Sequence, residues 1–167
     1  MTVSKKMILL IASALLGALL LTAIAIFQME RVYATANYGN ENSVPSIKTL
    51  SNALEYFGRM RLRVYRLMLF TEASKLEEGK NQILEAKGKL QGFLKDYEKL
   101  TSNDKDRALL AADKAAFEEY EKSVAHTLEL TMAGKVDQAK EYIGGAVAAA
   151  QKMNAALNEH MEFNIKL

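Results

Sequence analysis

The feature that most constrains this chain is an apolar run near its N-terminus. Residues 7–27 read MILLIASALLGALLLTAIAIF and contain neither a charge nor a proline. A run of about 20 apolar residues spans a bilayer as a helix, because its backbone groups must pair within the segment. Lys5 and Lys6 precede the run, and positive charge stays on the cytoplasmic side. We therefore expect a cytoplasmic stub over residues 1–6, a transmembrane helix over 7–27 and an extracytoplasmic domain over 28–167.

A cleaved secretory signal peptide is the competing interpretation, since residues 34–36 (Ala-Thr-Ala) look like a small-residue cleavage site. The apolar run is longer than the roughly 7–15 residues usual in such signals, and charged Glu30 and Arg31 lie between the run and the site. We favour an uncleaved anchor in the inner, cytoplasmic membrane. The following domain would then lie in the periplasm or outside the cell.

Composition favours one helical domain beyond the anchor. The chain has 167 residues, with one proline, no tryptophan and no cysteine. Chains poor in proline and rich in Ala, Leu, Glu and Lys favour helix over sheet. The absence of cysteine excludes disulfides, thiolate metal sites and cysteine nucleophiles. A net charge of +2 gives no basis for nucleic-acid binding, so we expect none.

Four amphipathic segments follow the anchor, each with apolar residues at spacings of three, four and seven. We expect these four helices over residues 46–71, 75–99, 104–133 and 136–165. Similar lengths and short connections make consecutive helices antiparallel, because a few residues can only turn the chain back. The sequence therefore predicts an all-α fold, in which an N-terminal transmembrane helix precedes an up-down-up-down antiparallel four-helix bundle.

Local signals mark where these helices begin and end. Residues 39–43 (GNENS) read as a break ahead of the first bundle helix. Ser74 and Glu77 have the spacing of a capping box at the start of the second. Residues 101–104 supply turn and cap residues for the third, and Gly134 suits the left-handed position that ends it.

Cationic residues concentrate on the first bundle helix, where four arginines have no acid among them. Arg59, Arg63 and Arg66 share one face, nearly opposite the apolar stripe, and Phe70 ends that face. Guanidinium groups bind carboxylates bidentately, so this face is a candidate site for a small carboxylate. The alternatives are ion pairs with acids on other helices or a solvated face. Arg61 instead occupies a step of the apolar stripe, where its stem can pack in the core.

Three further polar side chains complete the candidate ligand-binding set. Tyr56 lies on the arginine face, and Tyr142 and Gln151 lie on the fourth bundle helix near Gly144 and Gly145. In an antiparallel bundle the glycine pair falls roughly level with the arginines, where missing side chains would leave room for a ligand. Sequence drift at the glycines and ordinary surface positions for the two polar residues are the alternatives.

Catalytic and metal-binding patterns are absent from the sequence. His126 and His160 are the only histidines, and neither belongs to a Glu-x-x-His repeat of the kind that binds di-iron centres. No nucleophile motif, phosphate loop or triad is present. We therefore expect no metal, no cofactor, no catalytic residues and no enzymatic activity. Asn154 and Asn164 continue the apolar stripe of the fourth bundle helix, where a polar residue often fixes register.

The order and spacing of several segments resemble the sensory domain of methyl-accepting chemotaxis receptors. These segments are the lysine-flanked anchor, Tyr38 followed by VPSI and Leu50, NALEYFGRMRLRVYRLML, LTSNDKDRALLAADKAAFEEYEKSV, MAGKVDQAKEYI and the terminal LNEHMEFN. Together they cover nearly the whole chain. The same module also resembles the input domains of some membrane histidine kinases and cyclic-dinucleotide enzymes.

The resemblance implies the ligand-binding sensory domain of a transmembrane chemoreceptor for a small anionic solute, an organic acid or amino acid. It implies a homodimer with sites between the first bundle helices, Arg59, Arg63 and Arg66 holding the carboxylate, and the fourth bundle helix closing over it. A second membrane helix beyond Leu167 would pass the signal to a cytoplasmic kinase and coupling protein. The alternatives are the input domain of a histidine kinase or cyclic-dinucleotide enzyme, or an anchored bundle that binds a periplasmic protein.

Overall fold

The computed structural model describes residues 2–167, which are almost entirely helical and include no strand. The chain divides into two compact units, one ending at Glu41 and the other covering residues 42–167. In the first unit, α1 (Val3–Tyr38) has no buried residues. Its apolar stretch is long and apolar enough to cross a membrane, by length and composition.

A π-helical segment, Gly39–Ser43, occupies the position where the sequence predicts a break. Gly39 has right-handed helical dihedral angles, with φ −55° and ψ −45°. A π-turn closes hydrogen bonds between residues five apart, so it takes up an extra residue without ending the helical backbone. The expectation of a break is therefore wrong, because these turn-favouring residues are placed in a wider helical turn.

Four long helices form the second unit. They are α2 (Val44–Leu67), α3 (Ala73–Tyr97), α4 (Asp104–Met132) and α5 (Val136–Ile165). The main packing partners are α2 with α3 and α4 with α5, while α2 also contacts α5. The predicted all-α class and four-helix bundle are confirmed.

The ends of α4 follow the local signals in the sequence. The Asn103 side chain accepts a hydrogen bond from the backbone N–H of Asp106 at 3.1 Å, as an N-cap does. Gly134 follows the helix with φ 75°, a conformation that costs glycine nothing because it lacks a Cβ. The α4–α5 connection is therefore a tight turn, which holds these two helices side by side.

The capping box predicted for α3 does not form. The helix begins at Ala73, after Glu72 in an extended conformation, and no side chain caps its first turn. Ser74 is therefore already inside the helix, where its hydroxyl cannot replace an N-cap. Lys75 instead pairs with Glu72 at 2.8 Å.

Apolar side chains from α2 to α5 form one core. Its centre includes the Phe57 ring, which meets the Tyr120 ring edge-on with centroids 4.9 Å apart. Burial of one such side chain contributes about 1.5–3 kcal/mol. The buried members of the predicted stripes include Leu50, Phe57, Val64, Ile83, Leu90, Tyr97, Phe117, Val124, Ala150 and Leu157. This core fixes the rotation of α2 and thereby sets which of its side chains face outward.

Candidate functional site

Two of the α2 arginines line a cleft between α2 and α3. Arg63 and Arg66 form one wall of this cleft, which has a volume of about 410 Å³. Small-molecule sites commonly measure about 300–1,000 Å³. The remaining lining residues are Phe70, Lys75, Glu78, Gly79 and Gln82.

Packing beneath the cleft fixes its shape. Val64 and Leu67, which flank the two arginines along α2, are buried in the core. A Cβ atom added to Gly79 would lie 2.6 Å from Cδ1 of Leu67, closer than carbon atoms can approach. Glycine at this position therefore lets α3 lie close against α2 at the floor of the cleft.

Arg63 is anchored across the cleft. Its Nη1 donates a hydrogen bond to the backbone carbonyl of Gln82 at 2.5 Å and lies 3.9 Å from the Glu85 carboxylate. The Arg63 side chain is only 24% exposed. A guanidinium has five N–H donors, so this anchoring leaves donors that can reach a ligand.

Arg66 has a different environment. No carboxylate lies within ion-pair distance of it among residues 2–167, and its guanidinium lies 5.7 Å from the Phe70 ring centroid. Lys75 is already paired with Glu72. The cleft lining carries three cations and one carboxylate, that of Glu78. Since Arg63 lies near Glu85 and Lys75 pairs with Glu72, the guanidinium of Arg66 is the cation of the cleft that has no ion pair among residues 2–167.

Arg59 and Tyr56 do not line this cleft. Arg59 donates from Nη2 to the carboxylate of Glu55 at 2.6 Å, an exposed pair one turn apart on α2. Its guanidinium also lies 5.0 Å from the Tyr56 ring centroid, and the Tyr56 ring packs against Phe93 at 5.6 Å. The structure therefore separates Arg59 from the other two arginines of its face.

The α5 candidates lie apart from the cleft as well. Tyr142 is 53% exposed, and its ring meets that of His126 on α4 at 4.5 Å. Gln151 is also exposed on α5. A Cβ atom added to Gly144 or Gly145 would meet nothing within 4 Å. The glycine pair therefore faces open space.

A shallow apolar groove borders Arg66 on its other side. It has a volume of about 480 Å³, and its lining combines residues of α2, two residues just after α2 and Lys140 of α5. Leu62 is 68% exposed and Leu69 is 80% exposed there. Arg61 is half-buried elsewhere on α2, with its guanidinium 5.8 Å from the Phe57 ring.

A second polar constellation lies inside the bundle, at the end where α2 begins and α5 ends. His160 is fully buried there. Its Nδ1 lies 2.5 Å from Oδ2 of Asp113, and its Nε2 lies 2.8 Å from Oδ1 of Asp106. Tyr97 donates its hydroxyl to Asp106 at 2.8 Å, and Asn164 donates to the Tyr97 hydroxyl oxygen at 2.7 Å. We call the two aspartates and the histidine the Asp-His-Asp cluster.

The protonation of this cluster follows from competing effects. Burial alone lowers the pKa of His160, but the hydrogen bonds that its ring donates to Asp113 and Asp106 outweigh it and raise the pKa above its ordinary value. Burial raises the pKa of Asp113, against the opposing effect of His160. Burial also acts to raise the pKa of Asp106, but hydrogen bonds from Ser102, His160 and Tyr97 leave it below its usual range. The net result favours a protonated imidazole.

Sequence reasoning misses this cluster, although a signal exists. Asp106 and Asp113 precede the buried Tyr120 at steps of seven, and His160 follows the buried Met153 by seven. Steps of seven keep a residue on nearly the same helix face. Each ring nitrogen of His160 faces its own carboxylate, so the arrangement is a hydrogen-bond network and not a metal site.

Comparison with known proteins agrees with this architecture. A family model described as a four helix bundle sensory module for signal transduction matches residues 1–167. No curated protein and no solved structure matches the chain. The resemblance inferred from the sequence is therefore confirmed. The chain belongs to the family of four-helix-bundle sensory modules for signal transduction, the sensory module of methyl-accepting chemotaxis proteins.

Proposed function

We propose that the bundle binds a small organic anion in the cleft lined by Arg63 and Arg66. Family membership makes the chain a sensory signal-transduction domain. The observation that carries the ligand proposal is the guanidinium of Arg66 at the cleft, because the other two cations of the lining, Arg63 and Lys75, already lie beside Glu85 and Glu72. Arg66 in particular has no carboxylate partner among residues 2–167.

The arrangement suits an organic acid or an amino acid. Arg66 can take a carboxylate in two parallel hydrogen bonds, because its guanidinium presents a planar pair of donors. Phe70 lies behind that guanidinium and would limit its motion. Arg63 is already held by the Gln82 carbonyl, so it would lose little conformational freedom when a second polar group of the ligand binds.

The other candidate residues have a different role in this proposal. Four of the candidate residues lie outside the cleft, namely Arg59, Tyr56, Tyr142 and Gln151. We propose that they make contacts across a homodimer and do not bind the ligand directly in the cleft. The exposed leucines of the groove beside Arg66 support a homodimer, since a second copy would remove their apolar surface from water.

Signalling would follow from a shift in the population of bundle conformations. A ligand shifts such an equilibrium only by its difference in affinity for the two states. Arg66 borders both the cleft with α3 and the groove with α5, and α2 contacts α5. Closure of Arg66 onto an anion would therefore change the α2–α5 packing. We propose that α5 passes this change through a second membrane helix to a cytoplasmic kinase and coupling protein, with residues 7–27 anchoring the domain in the inner membrane.

Calorimetric titration of the full chain in lipid nanodiscs tests this proposal. The panel consists of succinate, malate, citrate, aspartate and glutamate at a fixed neutral pH. We expect at least one to bind, and Arg66→Gln to weaken its binding about tenfold or more, since a hydrogen bond to a charged group contributes about 1.5–3 kcal/mol.

Arg107→Gln is the matched control, because Arg107 is an exposed arginine of α4 that pairs with Asp104. It should bind the same anion as the unmodified chain does. Absence of heat across the panel at millimolar concentrations would reject direct anion sensing and favour an anchored bundle that binds a periplasmic protein. Equal affinity in the Arg66 variant would place the site elsewhere.

A further inference from the structure

The Asp-His-Asp cluster lies at the opposite end of the bundle from the anion cleft and has no part in binding there. It joins α5 to α4, since His160 of α5 sits between two carboxylates of α4 that are two turns apart. Tyr97 of α3 completes it, with its ring 4.5 Å from that of His160. The cluster therefore ties three helices together inside the protein.

The geometry of the cluster sets the number of protons it holds. A ring nitrogen and a carboxylate oxygen at 2.5 Å and 2.8 Å need one proton in each contact, because two lone pairs at that distance repel. One imidazole and two carboxylates therefore share two protons in this arrangement, with a net charge of −1. Loss of one proton would leave a lone pair of His160 facing a carboxylate and a larger buried charge without compensation, which is strongly unfavourable.

The surroundings of the cluster cannot supply a substitute proton at low cost. The Asp106 carboxylate already accepts hydrogen bonds from the backbone N–H and hydroxyl of Ser102. Oδ1 of Asp113 is buried and has no hydrogen-bond partner. The titratable or polar groups around His160 and its carboxylates are Ser46 from α2, Tyr97 from α3, Asp106 and Asp113 from α4, and Glu159 and Asn164 from α5.

We propose that this cluster gives the domain a second stimulus, the proton, and that release of one proton separates the end of α5 from α4. This inference rests on the sensory role proposed above, because the motion is a signal only if α5 passes it on. The motion itself does not depend on the anion cleft.

The direction of the response follows from the groups that surround His160. Hydrogen bonds donated to the two carboxylates raise its pKa above the ordinary 6.5 in spite of its burial. A raised pKa means that the folded form holds the proton more tightly than the unfolded form does. The contacts are therefore complete below pH 6.5 and are lost as the pH rises through the folded pKa. The domain would respond to alkaline conditions.

Two measurements on the full chain in nanodiscs test the proposal. The chain has no cysteine, so Ala108→Cys on α4 and Glu162→Cys on α5, both at exposed positions, can carry spin labels. Pulsed electron resonance then gives the α4–α5 distance as a function of pH. Nuclear magnetic resonance of the imidazole carbons gives the titration of His160. We expect the α4–α5 distance to increase as the pH rises above 6.5. The midpoint of this increase should equal the midpoint of the His160 titration.

Variants separate this account from a general effect of pH. His160→Gln should abolish the change in distance, whereas His126→Gln, which removes an exposed histidine of α4, should preserve it. Asp113→Asn should move the midpoint to lower pH, because it removes a carboxylate that holds the proton. If His160→Gln does not fold, the unmodified protein decides the question: the midpoint of the distance change must coincide with the midpoint of the His160 titration.

A His160 ring that titrates at or below its ordinary pKa, or a distance that stays constant while the ring titrates, would overturn the proposal. The anion titration at fixed pH is an independent readout. A lost pH response with intact anion binding would therefore reject only this inference.

Discussion

At the scale of single residues, Asp106 supports more of the buried network than any neighbour does. It is fully buried and accepts from Tyr97, from His160 and twice from Ser102. A buried carboxylate is tolerated only when its lone pairs are satisfied in this way. The same contacts lower its pKa against the effect of burial.

Replacement of this carboxylate should therefore be costly. Asp106→Asn places amide hydrogens against donors, and we expect it to lower the free energy of unfolding by about 3–5 kcal/mol, as when one partner of a buried pair is removed. Asp104→Asn is the matched control, because that exposed residue of the same helical turn only pairs with Arg107, and exposed pairs contribute about 1 kcal/mol or less. Urea unfolding followed by circular dichroism measures both. Equal stability of the two variants would contradict the role given to Asp106.

Residue spacing predicts the apolar core but not the polar network. Leu50, Phe57 and Val64 lie seven apart, and all three are buried. His160 and Asp106 also fall on inward positions, but a charged residue is buried only where a partner compensates it. That partner lies 54 residues away in the chain. Such a pairing depends on how α4 and α5 meet, which local spacing does not contain.

At the scale of the helices, glycine has two different uses. Gly79 permits the close contact of α3 with Leu67 of α2, since a Cβ there would overlap that side chain. Gly145 of α5 and Gly88 of α3 have no such neighbour within 4 Å. The idea that the α5 glycines leave room for a ligand beside the arginines gains no support from this placement.

Substitution of the two open glycines, Gly145 and Gly88, by alanine tests whether anything packs against them. We expect Gly145→Ala to raise the free energy of unfolding by about 1 kcal/mol, because alanine favours the helix interior over glycine by that amount. Gly88→Ala, an equally open site, should give a similar gain and serves as the control. Thermal unfolding of the full chain in nanodiscs measures both. A loss of stability in the first variant alone would indicate that something packs closely against this part of α5.

Helix ends show which local signals the tertiary structure overrides. Gly134 and the Asn103 cap act as their sequence suggests, because each needs only its own turn. Ser74 is displaced from the cap position since α3 begins at Ala73, two residues earlier than the pattern requires. Similarly, residues 39–43 continue in a helical form, although their composition favours a turn. Turn-forming residues lower the stability of a helix without forbidding it.

At the scale of the whole molecule, stability should depend on pH in a way that the buried groups determine. The contribution of His160, whose pKa is raised, is complete below 6.5 and is lost as the pH rises through the folded pKa. The contribution of Asp106, whose pKa is lowered, is present above 3.8 and is lost as the pH falls through the folded pKa. Asp113 has a raised pKa, so it opposes that loss in acid.

We therefore expect the free energy of unfolding to decrease on both the alkaline and the acid sides. Urea unfolding at a series of pH values measures this profile. His160→Gln should flatten the alkaline limb, whereas His126→Gln should leave it unchanged. An alkaline limb that survives in the first variant would mean that another group causes it.

The architecture of the domain follows from sequence, but the position of the candidate site does not. Amphipathic periodicity and short connections are enough for a four-helix bundle, because they determine which faces are buried and which helices are neighbours. Arg59, Arg63 and Arg66 share one face in the sequence, yet Glu55 and Tyr56 engage the first of them outside the cleft. Arg63 is directed across the cleft by its hydrogen bond to the Gln82 carbonyl. These distinctions come from neighbouring side chains and from α3, which the spacing on α2 cannot reveal.

The most direct test of the proposed function is the response of the arginine side chains to anions. Nuclear magnetic resonance of the guanidinium Nε–Hε groups follows each arginine separately while a pooled panel of succinate, malate, citrate, aspartate and glutamate is added to the full chain at fixed pH. We expect saturable shifts at Arg63 and Arg66, with Arg59 and the exposed Arg107 little changed. Unchanged signals at Arg63 and Arg66, or shifts confined to the other arginines, would contradict the assignment of the α2–α3 cleft as the anion site.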